Sequence, residues 1–219
     1  MSNSSLLGKM ITQNGFILAV FATVCVGLIA TTYSITKDTI AGEMKSALAR
    51  TLNELVDATQ YDNDVYHDCI LIPGSELLGS SEPLMAYRMR KDSRPVAIIL
   101  ESIAPNGYSG KIKMVVGVFY DGSIAGVRVT AHKETPGLGD KIDISKSDWI
   151  TSFNGLSLGN TSISQWKVAK DGGQFDAFTG ATITPRAVVN QIAKTLEFYQ
   201  ENKSWLFNQQ QSCNSKDSK

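Results

Sequence analysis

The chain has 219 residues, enough for one domain of ordinary size and an anchor. Lys+Arg and Asp+Glu both number 21, so no charge excess argues for nucleic acid or an anionic membrane face. Eighteen glycines, many beside Asp, Asn or Ser, predict frequent turns and a sheet-rich body.

In chain order, the only side-chain charge before Lys37 is Lys9, and an apolar run lies between them from Phe16 to Tyr33. A transmembrane helix needs roughly 17–25 residues, which this run meets. The hydroxyls of Thr23, Thr31 and Thr32 are tolerable there because they can bond back to helix carbonyls. Two competing readings are weaker. A cleaved signal peptide would use Ala30 near the end of the run, but no clear Ala-x-Ala site follows. Lipid modification of Cys25 would put bulky Val24 where processing sites need a small residue. The expected division is a short N-terminal segment over 1–14, a membrane helix over 15–35 and a juxtamembrane helix over 36–60. In the last, Ile40, Met44, Leu48, Leu52 and Leu55 repeat at helical spacing. Lys9 on one side and Lys37, Lys45 and Arg50 on the other do not decide orientation.

The body is expected over 61–202, followed by a polar tail over 203–219. Outside the apolar run the only cysteines are Cys69 and Cys213, which would bridge in an oxidising compartment; alternatively Cys69, beside Ile70-Leu71-Ile72, is a small buried hydrophobe. Met85, Tyr87 and Met89 alternate with Arg88 and Arg90 as on a half-exposed strand, and Val96 to Leu100 reads as a central strand. Pro105-Asn-Gly107 predicts a turn. Lys111–Phe119 and Ile124–Thr130 flank Tyr120-Asp-Gly-Ser123, a connection of hairpin length. A helical piece over Ser147–Phe153 and a short strand at Trp166–Val168 follow. The fold class is therefore α+β, an antiparallel sheet with packed helices, preceded by one N-terminal transmembrane helix.

Two stretches invite chemistry. Glu134-Thr-Pro-Gly-Leu-Gly139 carries glycines that let the backbone approach a flat ligand, although a plain turn is the default reading and the third Gly of a dinucleotide fingerprint is missing. Later, Thr184 is a good N-cap and Pro185 fits the first position of a helix. Its face is built from Val188, Val189, Ile192, Ala193, Leu196 and Tyr199. Thr182 stands two residues earlier beside Gly180-Ala181, where a helix start offers donors to a phosphate; pattern alone favours ordinary capping and turn roles. His67 and His132 sit in no metal-ligand spacing, and Trp149, Trp166 and Trp205 read as core or interface anchors.

Asp176-x-x-Thr179-Gly180-Ala181-Thr182 resembles the flavinylation motif, at which a flavin transferase joins FMN through its phosphate to the last threonine. Ala104-Pro-Asn-Gly-Tyr-Ser-Gly110, Glu134-Thr-Pro-Gly-Leu-Gly-Asp-Lys141 and Ser147-Asp-Trp-Ile150 extend the likeness, and residues 10–200 are similar to the G-type subunit of the Rnf electron transport complex. The resemblance implies covalent FMN on Thr182, with Asp176, Thr179, Gly180, Ala181 and Thr184 around it. It also implies cofactor contacts from Thr135, Gly137, Leu138, Gly139 and Lys141. The implied role is an electron relay, anchored in the inner membrane with its body on the periplasmic side, among other Rnf subunits that couple ferredoxin and NAD to ion movement. The alternatives are the C-type subunit of a sodium-translocating NADH:quinone reductase, which shares the motif, and a cofactor-free single-pass sensor or binding module.

Overall fold

The computed structural model describes residues 3–210. Helix α1 (Asn3–Leu55) is continuous over 53 residues, and the chain divides into two compact units between Arg50 and Thr51. Within the first unit, Met10–Lys37 has a mean hydropathy of 2.2 and is long and apolar enough to cross a membrane. At 1.5 Å per residue those 28 residues reach about 42 Å, more than the roughly 30 Å hydrocarbon core. The hydroxyls of Thr23, Thr31 and Thr32 each donate to the carbonyl four residues back at 2.8 Å, so all three are satisfied inside the helix.

The second unit is built on five strands in sequential order: β1 (Cys69–Ile72), β2 (Leu84–Lys91), β3 (Arg94–Gly107), β4 (Gly110–Phe119) and β5 (Ile124–Ala131), all antiparallel. Helix α2 (Ile183–Asn208) closes one face. Its Val188, Ile192, Leu196 and Tyr199 join Ile98, Leu100, Val116 and Val118 in the main core. The opposite face is buried too. Gly117 and Gly126 are cross-strand partners there, and their missing side chains leave a notch for Leu55 at the end of α1; a Cβ on Gly126 would come within 2.8 Å of Leu55 Cδ2. Burial on both faces explains why β3 carries an unbroken apolar run.

Three local expectations change. Strand β2 is not half-exposed: Arg88 is 2% exposed because it is paired. Its guanidinium lies 2.5 Å from Asp68 and donates to the carbonyls of Leu206 and Gln209, while Arg90 reaches Asp68 at 2.8 Å and the carbonyl of Phe207 at 2.9 Å. Two cations thereby satisfy the open carbonyls at the C-terminal end of α2, which continues past residue 202 with Leu206 and Phe207 buried. The reversal predicted at Pro105–Gly107 falls at Tyr108-Ser109, since β3 runs on to Gly107, which pairs with Gly110. No strand forms over Trp166–Val168. A single bridge from Val168 to Phe175 holds a loop of short helical turns in its place.

Strands β4 and β5, the turn at Tyr120–Ser123 and the helical turn at Asp148–Phe153 capped by Ser147 follow the sequence reading. Cys69 is buried in β1, and Cys213 lies outside the described residues.

Candidate functional site

The stretch from Asp176 to Thr182 is a turn pressed between an aromatic cluster and the start of α2. Phe178 is buried and meets Trp149 edge-on at 5.0 Å, and Trp149 in turn packs edge-on to Phe153 at 5.3 Å. The Trp149 indole N–H donates to the Asp176 carbonyl at 3.0 Å. The chain then reverses, the Ala181 N–H donating to the Phe178 carbonyl at 3.1 Å. Gly180 has φ +80°, the left-handed conformation a type II turn demands at its third position. Thr179 and Gly180 occupy the exposed tip of this turn.

Thr182 is the residue at the N-cap of α2, and its side chain makes no capping bond. Its half-exposed hydroxyl accepts a hydrogen bond from Lys170 Nζ at 3.0 Å. Thr184, expected as the cap, lies inside the helix, and its hydroxyl donates to Glu134 Oε2. Thr184 is completely buried there, so its hydroxyl must find a partner across the domain and cannot serve as a cap. Pro185 accordingly sits inside the first turn, where its missing N–H still costs no helical bond.

Glu134 organises the other half of the site. It is 4% exposed; Oε1 accepts the Ser109 N–H at 3.0 Å, and its own N–H donates to His132 Nδ1 at 3.1 Å. The loop it begins curls back on the Thr135 carbonyl, which accepts the N–H groups of Leu138 and Gly139, with Gly137 at φ +75°. Gly139 is seated beneath Thr184. A Cβ there would lie 2.9 Å from Thr184 Oγ1 and 3.0 Å from Glu134 Cβ, so no larger residue fits unmoved. Leu138, 43% exposed, reaches within 3.7 Å of the place a Cβ on Gly180 would occupy.

The fold therefore brings Leu138, Gly139, Gly180, Thr182 and Thr184 into one neighbourhood. Lys141 and Asp176 share an adjoining recess of about 420 Å³ with Asp148, Trp149 and Phe178. Thr135 and Gly137 lie on the outer, exposed side of the loop. Three further residues belong to this setting. Glu134 is visible in the sequence only as part of its loop, Trp149 only as an aromatic anchor, and Lys170, twelve residues before Thr182, carries no sequence signal. The Arg186 guanidinium, bound to Asp171 at 2.6 and 2.8 Å, holds that carboxyl below its usual range.

Residues 107–197, which contain every one of these groups, match the FMN-binding domain family, and residues 1–55 match the RnfG N-terminal region. The chain is 49% identical over 207 residues to the G subunit of the ion-translocating oxidoreductase complex of Pseudoalteromonas atlantica, covering 94% of this chain and 96% of that protein. It is 46% identical over 203 residues to the protein of the same name from Vibrio cholerae serotype O1, with 93% and 97% covered. To that of Shewanella baltica it is 44% identical over 201 residues, with 92% and 95% covered. With relatives this similar over nearly their whole length, the chain belongs to the family of ion-translocating oxidoreductase complex G subunits.

Proposed function

We propose that this chain is the electron-carrying subunit of an Rnf-type complex that couples ferredoxin and NAD to ion movement, and that it carries FMN joined through phosphate to Thr182. The observation that carries the attachment reading is the state of the Thr182 hydroxyl. It is half-exposed, spends no bond on capping α2 and has an ammonium group 3.0 Å away, a setting suited to a phosphate ester. Thr184 is unsuited, because its hydroxyl is buried against Glu134.

When bound, FMN supplies a ring that takes up and releases electrons singly. The chain's own residues would position it. Leu138 offers an apolar surface over the Gly180 turn, Gly139 lets the loop close on Thr184, and Thr135, Gly137 and Lys141 present exposed groups nearby. Asp176, Thr179 and Ala181 complete the sequence which a flavin transferase would read during maturation. The apolar segment of α1 would anchor the chain in the inner membrane with its body on the periplasmic side, beside the other membrane subunits of the complex.

Intact and peptide mass spectrometry of the full chain, purified after co-expression with a flavin transferase, tests this reading. FMN mass is expected on the peptide containing Thr182 and absent from Thr182→Ala; the same mass on Thr179 or Thr184 overturns the assignment. The loaded protein alone should not turn over NADH, because Gly137-x-Gly139 lacks the third Gly and the following long helix that hold a pyrophosphate. Rapid NADH oxidation would make the chain an oxidoreductase in its own right.

A further inference from the structure

We propose that Lys170 is the counter-cation that clamps the phosphate attached at Thr182, an inference that rests on the attachment reading above. Lys170 lies on a short helical turn, Ala169–Asp171, in a loop fixed at three points. The Ala169 N–H donates to the Phe175 carbonyl at 2.7 Å. Gly173 is pressed so closely on Lys167 that a Cβ would stand 2.0 Å from its carbonyl oxygen, so this closure accepts only glycine. Asp171 is tied by both carboxylate oxygens to Arg186, in the first turn of α2. The outcome is Lys170 Nζ at 3.0 Å from Thr182 Oγ1, its only side-chain hydrogen bond among the described residues.

The charge arrangement favours an anion at that oxygen. Asp171 is the adjacent acid, and its carboxylate is engaged by Arg186, which leaves the Lys170 ammonium to Thr182. A surface hydroxyl is a weak partner for an ammonium group, whereas a phosphodiester on the same oxygen brings a full negative charge and free acceptor oxygens. Lys170 then restrains the first bonds of the flavin's tether, and so the position of the ring.

The test uses the full chain as wild type, Lys170→Met and Lys170→Arg, each carrying FMN and each mapped by peptide mass. In Lys170→Met the ³¹P resonance should shift, the flavin fluorescence anisotropy should fall, and the rise in Tm on loading should shrink, while the unloaded Tm stays that of wild type. Lys170→Arg should retain all three properties. High salt should move wild type toward Lys170→Met, because a surface pair is screened. FMN on Thr182 with identical ³¹P shift and anisotropy in wild type and Lys170→Met refutes the clamp alone. Absence of FMN from Thr182 in wild type refutes the attachment reading, and the clamp with it.

Discussion

The indole N–H of Trp149 donates to the backbone carbonyl of Asp176 at 3.0 Å, joining the helical turn after the loop to the first residue of the Asp176–Thr182 stretch. Trp149→Phe removes this bond while keeping much of the contact with Phe153 and Phe178. The expected cost is about 0.5–1.5 kcal/mol, the net value of one hydrogen bond. Hydrogen exchange should quicken selectively at residues 177–181. Unchanged protection there would show that the turn is held by Phe178 alone.

Glu134 gathers Ser109, Thr184 and the loop that starts from it. Glu134→Ala leaves the buried Thr184 hydroxyl without its partner, at about 1–3 kcal/mol, and frees the exposed Ser109 N–H to water. Gly139→Ala acts from the other side by forcing Thr184 and Glu134 apart. Both variants should lower the denaturation midpoint and reduce FMN loading, whereas Thr182→Ala should abolish loading with the midpoint unchanged. A full loading level in Gly139→Ala would show that the loop does not shape the site.

Asp68 and Arg88 form a buried pair at one end of the domain. Removing one partner strands the other charge and usually costs about 3–5 kcal/mol. Asp68→Ala also strips Arg90 of its acceptor and loosens the end of α2. Chemical denaturation of the detergent-solubilised chain measures the loss, and a change under about 1 kcal/mol would indicate that the α2 carbonyls hold both arginines without the carboxylate, given that each such bond contributes about 1.5–3 kcal/mol.

The Asp171–Arg186 pair sets a pH dependence. Arg186 lowers the Asp171 pKa in the folded chain, so the pair's contribution is fully present above the unfolded value of about 3.9 and is lost as pH falls through the folded value. Below about pH 4, proteolysis within residues 169–173 should therefore accelerate. Asp171→Asn should show that faster cleavage at neutral pH, with no further acid response from this loop.

The pairing of Cys69 with Cys213 is a separate expectation. Thiol counting on denatured protein prepared without reductant should find one free thiol, that of Cys25. Three would refute the bridge.

The sheet is legible where the residues state their own period. Lys111–Phe119 and Ile124–Thr130 lie between clear turn residues, and the apolar stripe of α2 follows helical spacing from Val188 to Tyr199. Arg88 is misplaced by alternation, which treats an arginine as solvated, while the partners that bury it come from residues 68 and 206–209. Thr182 and not Thr184 stands at the N-cap position for a similar reason, since only the folded chain brings Glu134 to Thr184. Lys170 depends on a loop whose path is set by Phe175, Gly173 and Arg186 together, and no local pattern encodes that closure.

The sequential strand order has one more result. An open sheet leaves two rims of unpaired peptide groups, which invite neighbouring copies to stack edge to edge. Here β1 offers a rim only four residues long. At the other rim, irregularities at Met114 and Val118 interrupt the β4–β5 ladder, and the start of β5 exchanges hydrogen bonds of 2.8 Å with Gly155 and Leu156. Both borders are thus blunted against self-association, a useful property for a protein whose anchor would confine it to a crowded surface.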